Sequence, residues 1–114
     1  YDTSYQGVAL RVGEDILLLG YADSNDQLQT TLSGAADWLA ARVNSEGQIN
    51  SSGNARTCEG GETFLGVGKQ VSVVDVFVGL VYASVRTEKN TTEAAAQRIE
   101  QWVSRNRDVD PCFP

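Results

Sequence analysis

Apolar residues concentrate most densely between Val71 and Arg86, VSVVDVFVGLVYASVR, and the rest of the chain is organised around that stretch. Read with a period of two, Val71, Val73, Asp75, Phe77, Gly79, Val81, Ala83 and Val85 share one face. Ser72, Val74, Val76, Val78, Leu80, Tyr82, Ser84 and Arg86 share the other. Both faces are apolar in the middle, as in a strand buried on both sides. Valine is stiff at χ1 and suits a pleated surface, and Gly79 reads as a bulge or bend. The pattern therefore predicts a central strand or a bent pair of strands. A helical reading also exists, with Val74, Phe77, Val78, Val81, Tyr82 and Val85 on one stripe.

Upstream, Gly7–Val12 and Ile16–Tyr21 are two apolar runs separated by Gly13-Glu14-Asp15, a hairpin signal. Ser24 and Gln27 fit a capping box. Leu28, Leu32, Ala35, Ala36, Leu39 and Val43 then follow helical spacing, with Trp38 at the edge of the stripe. Residues 45–61, SEGQINSSGNARTCEGG, read as a long polar loop. A short strand at 62–67 and a turn at 66–68 lead into the central stretch. Asn90 reads as an N-cap with Glu93 three residues on, starting a second helix from about Thr91 to Arg105. Its apolar face is Ala95, Ile99, Trp102 and Val103.

Two strands and a helix thus occur twice, and Trp38-Leu39 and Trp102-Val103 sit in corresponding places, a faint sign of internal duplication. The fold class expected from this order is α+β. It is a two-layer α/β sandwich, an antiparallel sheet of about four to five strands with two helices on one face. A chain of 114 residues is expected to form a single domain, residues 1–114.

Charge and composition narrow the function classes. Net charge is −6 and the isoelectric point about 4.4, the wrong balance for a phosphate backbone or an anionic membrane surface. The uncharged run Val76–Val85 is far short of the roughly 20 apolar residues of a membrane span. The chain has no His, which excludes Ser-His-Asp and Cys-His catalysis and His-ligated metals. It has no Met and begins at Tyr1, so a processed product or excised domain is expected. Cys58 and Cys112 are the two cysteines and read as one disulfide. It would close a loop of about 54 residues, worth on the order of 4 kcal/mol. Asn50-Ser51-Ser52 and Asn90-Thr91-Thr92 match the glycosylation acceptor pattern. Together these features favour a secreted, extracellular protein.

The chemical candidates are few. Gly66-Val67-Gly68-Lys69 fails the phosphate-loop order, because Thr63 stands where the first Gly belongs and Gln70 follows the Lys. Glu59 and Glu62 flank two glycines, with Glu46 upstream. As a carboxylate pair they could serve sugar hydrolysis or hold a hard cation, but solvated loop acids explain them equally. Asp75 lies among valines and must be paired, hydrogen-bonded or protonated if buried. No catalytic residue, cofactor or metal site is expected.

The inferred architecture is broadly similar in shape to that of some secreted fungal killer toxins and effectors. That resemblance implies a non-enzymatic secreted protein that binds a cell-surface, membrane or protein target. Asp75, Glu59 and Glu62 are its candidate interaction residues, and a second subunit from the same precursor is a possible partner. The alternatives are an inhibitor or adhesion module, and a small carboxylate-dependent hydrolase.

Overall fold

The computed structural model of the chain describes residues 2–20, 26–54, 57, 63–106 and 112–113. Among them stand four α-helices: α1 (Thr3–Leu18), α2 (Asp26–Ala41), α3 (Val73–Thr87) and α4 (Asn90–Arg105). The β structure is reduced to two-residue pieces. β1 (Ile49–Asn50) pairs in parallel with β4 (Cys112–Phe113), and β2 (Thr63–Phe64) pairs antiparallel with β3 (Val67–Gly68). The expected α/β sandwich is therefore corrected to a mostly helical fold with no four- or five-stranded sheet.

The central stretch is a helix, α3, and the reason lies in what it buries. Val76, Gly79, Leu80 and Ala83 recur at i, i+3, i+4 and i+7 and form its buried stripe. Packing on three neighbouring helices overrides the β-preference of valine, which is only a weak prior. Ser72-Val73-Val74-Asp75 is also a capping-box sequence that marks the helix start.

The expected hairpin of Gly7–Val12 and Ile16–Tyr21 is likewise corrected: as far as Leu18 its residues form α1. The helix starts at Asp2, whose side chain accepts from the backbone N–H of Ser4 and Tyr5. The same carboxylate accepts from the backbone N–H and hydroxyl of Thr57. Asn54 meanwhile accepts from the Thr3 N–H, tying the polar loop to the start of α1.

Gly7 and Gly79 are contact points here, not turn or bulge residues. A Cβ on Gly7 would stand 2.6 Å from Val76 Cγ2, and one on Gly79 would stand 3.1 Å from Leu10. The absence of these side chains lets α1 and α3 approach closely. Gly13 meets Leu32 of α2 in the same way.

The two helices that show a clean one-sided stripe are present where the sequence predicts them. α2 buries Leu32, Ala36, Leu39 and Ala40, and α4 buries Thr92, Ala95, Ala96, Ile99 and Trp102. Asn90 is the first helical residue and Lys89 the cap, one position earlier than expected. The Ser24 cap of α2 lies outside the described residues.

Part of the polar loop is ordered by hydrogen bonds. Asn44 Oδ1 accepts from the N–H groups of Glu46 and Gln48. Arg98 donates to the carbonyl oxygens of Asn44 and Val43. Gly47 turns the chain with φ +95° directly against the Arg98 carbonyl and Trp102. The core runs through Leu10, Leu39, Ile49, Val76, Leu80 and Ile99, each nearly inaccessible to water.

Candidate functional site

Helices α1 and α3 lie side by side and run parallel. Gly7 meets Val76 and Leu10 meets Gly79 near their starts, and Glu14 meets Arg86 near their ends. α2 and α4 cover one side of this pair and supply the other half of the core. The opposite side has no covering element among the described residues, and it is apolar.

On α1, Val8, Val12, Ile16 and Leu19 recur at i, i+4, i+8 and i+11, all exposed. On α3, Val74, Val78, Val81 and Val85 recur at i, i+4, i+7 and i+11. Val85 is 75% exposed, Val74 64% and Leu19 70%. Single exposed apolar residues are ordinary, but ordered stripes on neighbouring helices are not. A helix apolar on opposite faces is one that ends up buried on both.

Two grooves run along α3. One, of about 430 Å³, is lined by Leu17 and Leu18 of α1 and by Val81, Tyr82 and Val85 of α3. The other, of about 200 Å³, lies between Val73, Val74 and Phe77 of α3 and Ile99 and Val103 of α4. The charges at the first groove neutralise each other. Arg86 Nε donates to both Glu14 oxygens at 3.0 and 2.9 Å, and its Nη2 donates at 2.8 Å. Nη2 also reaches Ser33 Oγ at 3.2 Å. Glu14 is buried although its carboxylate is charged, because this two-pronged pair replaces its water.

Asp75 sits in the first turn of α3, at the boundary between the two apolar stripes, and is engaged locally. Ser72 Oγ donates to it at 2.6 Å and Arg11 Nη1 at 2.7 Å. The Ser72 hydrogen bond, then the Arg11 hydrogen bond and charge, hold its carboxyl below the usual range. The sign follows directly. A depressed carboxylate stabilises the fold above its unfolded pKa of about 4, and that contribution is lost as pH falls through the lower folded value. Asp75→Asn is therefore expected to lower stability at neutral pH by less than about 1 kcal/mol. The difference from wild type should shrink to nothing in acid, as urea titrations at pH 7 and pH 2 would show. An equal difference at both pH values would mean that the charge of Asp75 plays no part.

Of the other sequence candidates, Glu59, Glu62 and Cys58 lie outside the described residues. No disulfide stands among the described residues, and of Cys112 only the backbone pairing with Ile49 is described. Asn50 is half-buried in β1, its Oδ1 accepting from the Ser52 N–H, and Asn90 is exposed at the start of α4. No group of three acidic, Cys or His side chains among the described residues could hold a metal ion. No described helix is long and apolar enough to cross a membrane.

The apolar face itself is what the period-two reading conceals. The helical stripe Val74, Phe77, Val78, Val81, Tyr82 and Val85 carries its signal, but this is the outward stripe. The inward one is Val76, Leu80 and Ala83.

No family model matches this chain, and neither a curated protein nor a solved structure matches it.

Proposed function

We propose that the chain is a non-enzymatic binding module whose target is a protein, taken up on the outer face of α1 and α3. The observation that carries this reading is the pair of ordered apolar stripes on the side of these helices away from α2 and α4. Together they leave on the order of 800 Å² of apolar surface in water, more than the roughly 300–600 Å² of the largest patch on a typical monomer. That is also about what one partner contributes to a standard protein–protein interface. The carboxylate at the groove is already satisfied by Arg86, so the groove offers a ligand apolar contact and no unpaired acid.

A protein is favoured over a lipid surface by the net charge of −6, which is repelled by anionic headgroups. The likeness in shape to killer toxins rested on an α/β sandwich and goes with it. Passage of the central stretch into a membrane would also empty the core, because Val76 and Leu80 belong to it. The two acceptor sequons support a secreted setting, with Asn90 exposed to solvent.

An amphipathic helix is the natural form for a segment laid along a groove between two helices. Selection of displayed amphipathic helical peptides on the chain should therefore yield binders. Val85→Lys should weaken them at least about tenfold, as expected of a residue at the centre of an apolar contact. The substitution should leave the melting temperature unchanged, since Val85 projects into solvent. Binders insensitive to Val85→Lys, or none at all, would refute the assignment of this face.

A further inference from the structure

We infer that the occupant of these faces is a second copy of the chain, stacked head to tail so that the far edge of α3 in one copy meets the far edge of α1 in the next. This rests on the protein-docking reading above and names its partner.

The inference starts from how the chain packs on itself. α1–α2 and α3–α4 are two successive helical hairpins. In each, the second helix spans sixteen residues and carries its Trp at the thirteenth: Trp38 in Asp26–Ala41 and Trp102 in Asn90–Arg105. The hairpins meet through α1 and α3, which lie parallel. Parallel contact between equivalent helices of successive units is the packing of a repeat, in which each unit presents one edge forward and another backward. Such an interface is heterologous: its two halves are different surfaces.

Each half has a counterpart left open. α1 turns Gly7, Leu10 and Glu14 toward α3, and Val12 and Ile16 lie around the opposite side of the helix. α3 turns Val76 and Gly79 toward α1, and Val74, Val81 and Val85 lie around its opposite side. Both open edges belong to one layer, both helices run the same way, and both edges are free of charge along their apolar rows. A copy displaced as the second hairpin is displaced from the first would bring its α1 row onto the α3 row. There the groove of Val73, Val74, Phe77 and Val103 would receive it. Each open row presents mainly valine, with Ile16 and Leu19 besides, and the apolar area is of the order that a stable pair of chains needs.

Sedimentation velocity at rising concentration tests this directly, using wild type, Val12→Glu on the α1 edge and Val85→Glu on the α3 edge. Both residues are exposed, so both variants should keep the wild-type circular dichroism and melting temperature. Wild type should form species that grow beyond the dimer as concentration rises. Each variant alone has one edge blocked in every copy and should lose association at least about tenfold. An equimolar mixture should recover association but stop at the dimer, because one intact edge of each kind remains. A monomeric wild type at the highest attainable concentration would overturn the proposal. So would association untouched by either substitution, or a mixture that stays monomeric, the sign of a self-complementary interface. A monomeric chain that still captures displayed helices would overturn self-stacking while leaving the protein-docking reading intact.

Discussion

Arg86→Met should destabilise the fold by about 3–5 kcal/mol at neutral pH, the cost of leaving one partner of a buried ion pair without the other. Glu14 lies inside the α1–α3 contact with only 3% of its side chain accessible, and Arg86 supplies three hydrogen bonds to it. The methionine keeps most of the aliphatic bulk of the arginine stem, so the loss reports the stranded carboxylate and not an emptied space. The double variant Glu14→Leu/Arg86→Met should recover most of the loss, because a matched apolar pair needs no compensating charge. Urea denaturation of the two variants and wild type checks both statements. A single variant within about 1 kcal/mol of wild type would mean that the pair is water-exposed in solution.

Gly47→Ala is expected to cost about 3–5 kcal/mol, from two separate sources. The residue has φ +95°, where an L side chain is strained by roughly 1–3 kcal/mol. Its new methyl group would also be driven into the Arg98 carbonyl, with Trp102 Cβ only 2.8 Å away. Overpacking of that kind adds about 1–3 kcal/mol. Gly53 separates the two contributions. It has φ +81° but open space around it, so Gly53→Ala should cost only about 1–2 kcal/mol. Thermal melts of both variants provide the comparison, and equal losses would assign the whole effect to backbone strain.

α2 and α4 are legible in the sequence because each buries one stripe and exposes the rest. Leu32, Ala36 and Leu39 in the one, and Ala95, Ile99 and Trp102 in the other, stand out against polar neighbours. α1 and α3 are illegible for the opposite reason. Each has a second apolar stripe facing out, so apolar residues occur all round and the helical period is flattened. In α3 the inward stripe contains Gly79 and Ala83, which weigh little on any hydrophobicity pattern, while the outward valines weigh heavily. The period-two reading of Val71–Arg86 follows from that imbalance. Gly7, Gly13 and Gly79 reinforce it, since a glycine needed for close helix approach is indistinguishable in sequence from one that ends a strand.

The candidate site shows the same asymmetry. Asp75 is conspicuous as a lone acid among valines, and Ser72 three residues before it explains its role as part of a helix start. The Glu14–Arg86 pair has no local signal, because its members are 72 positions apart and meet only when two helices are brought together.

That separation also shapes how the molecule can assemble. Each hairpin brings together segments close in sequence, so its closure costs little chain entropy and can precede everything else. The α1–α3 seam joins residues about seventy positions apart, such as Gly7 and Val76, and the intervening chain must be gathered before a single contact forms. The seam is therefore the last part of the helical core to close and the first route by which the hairpins can come apart. In kinetic terms the chain resembles two small, fast-folding units waiting on one slow docking event more than a simple up-and-down bundle.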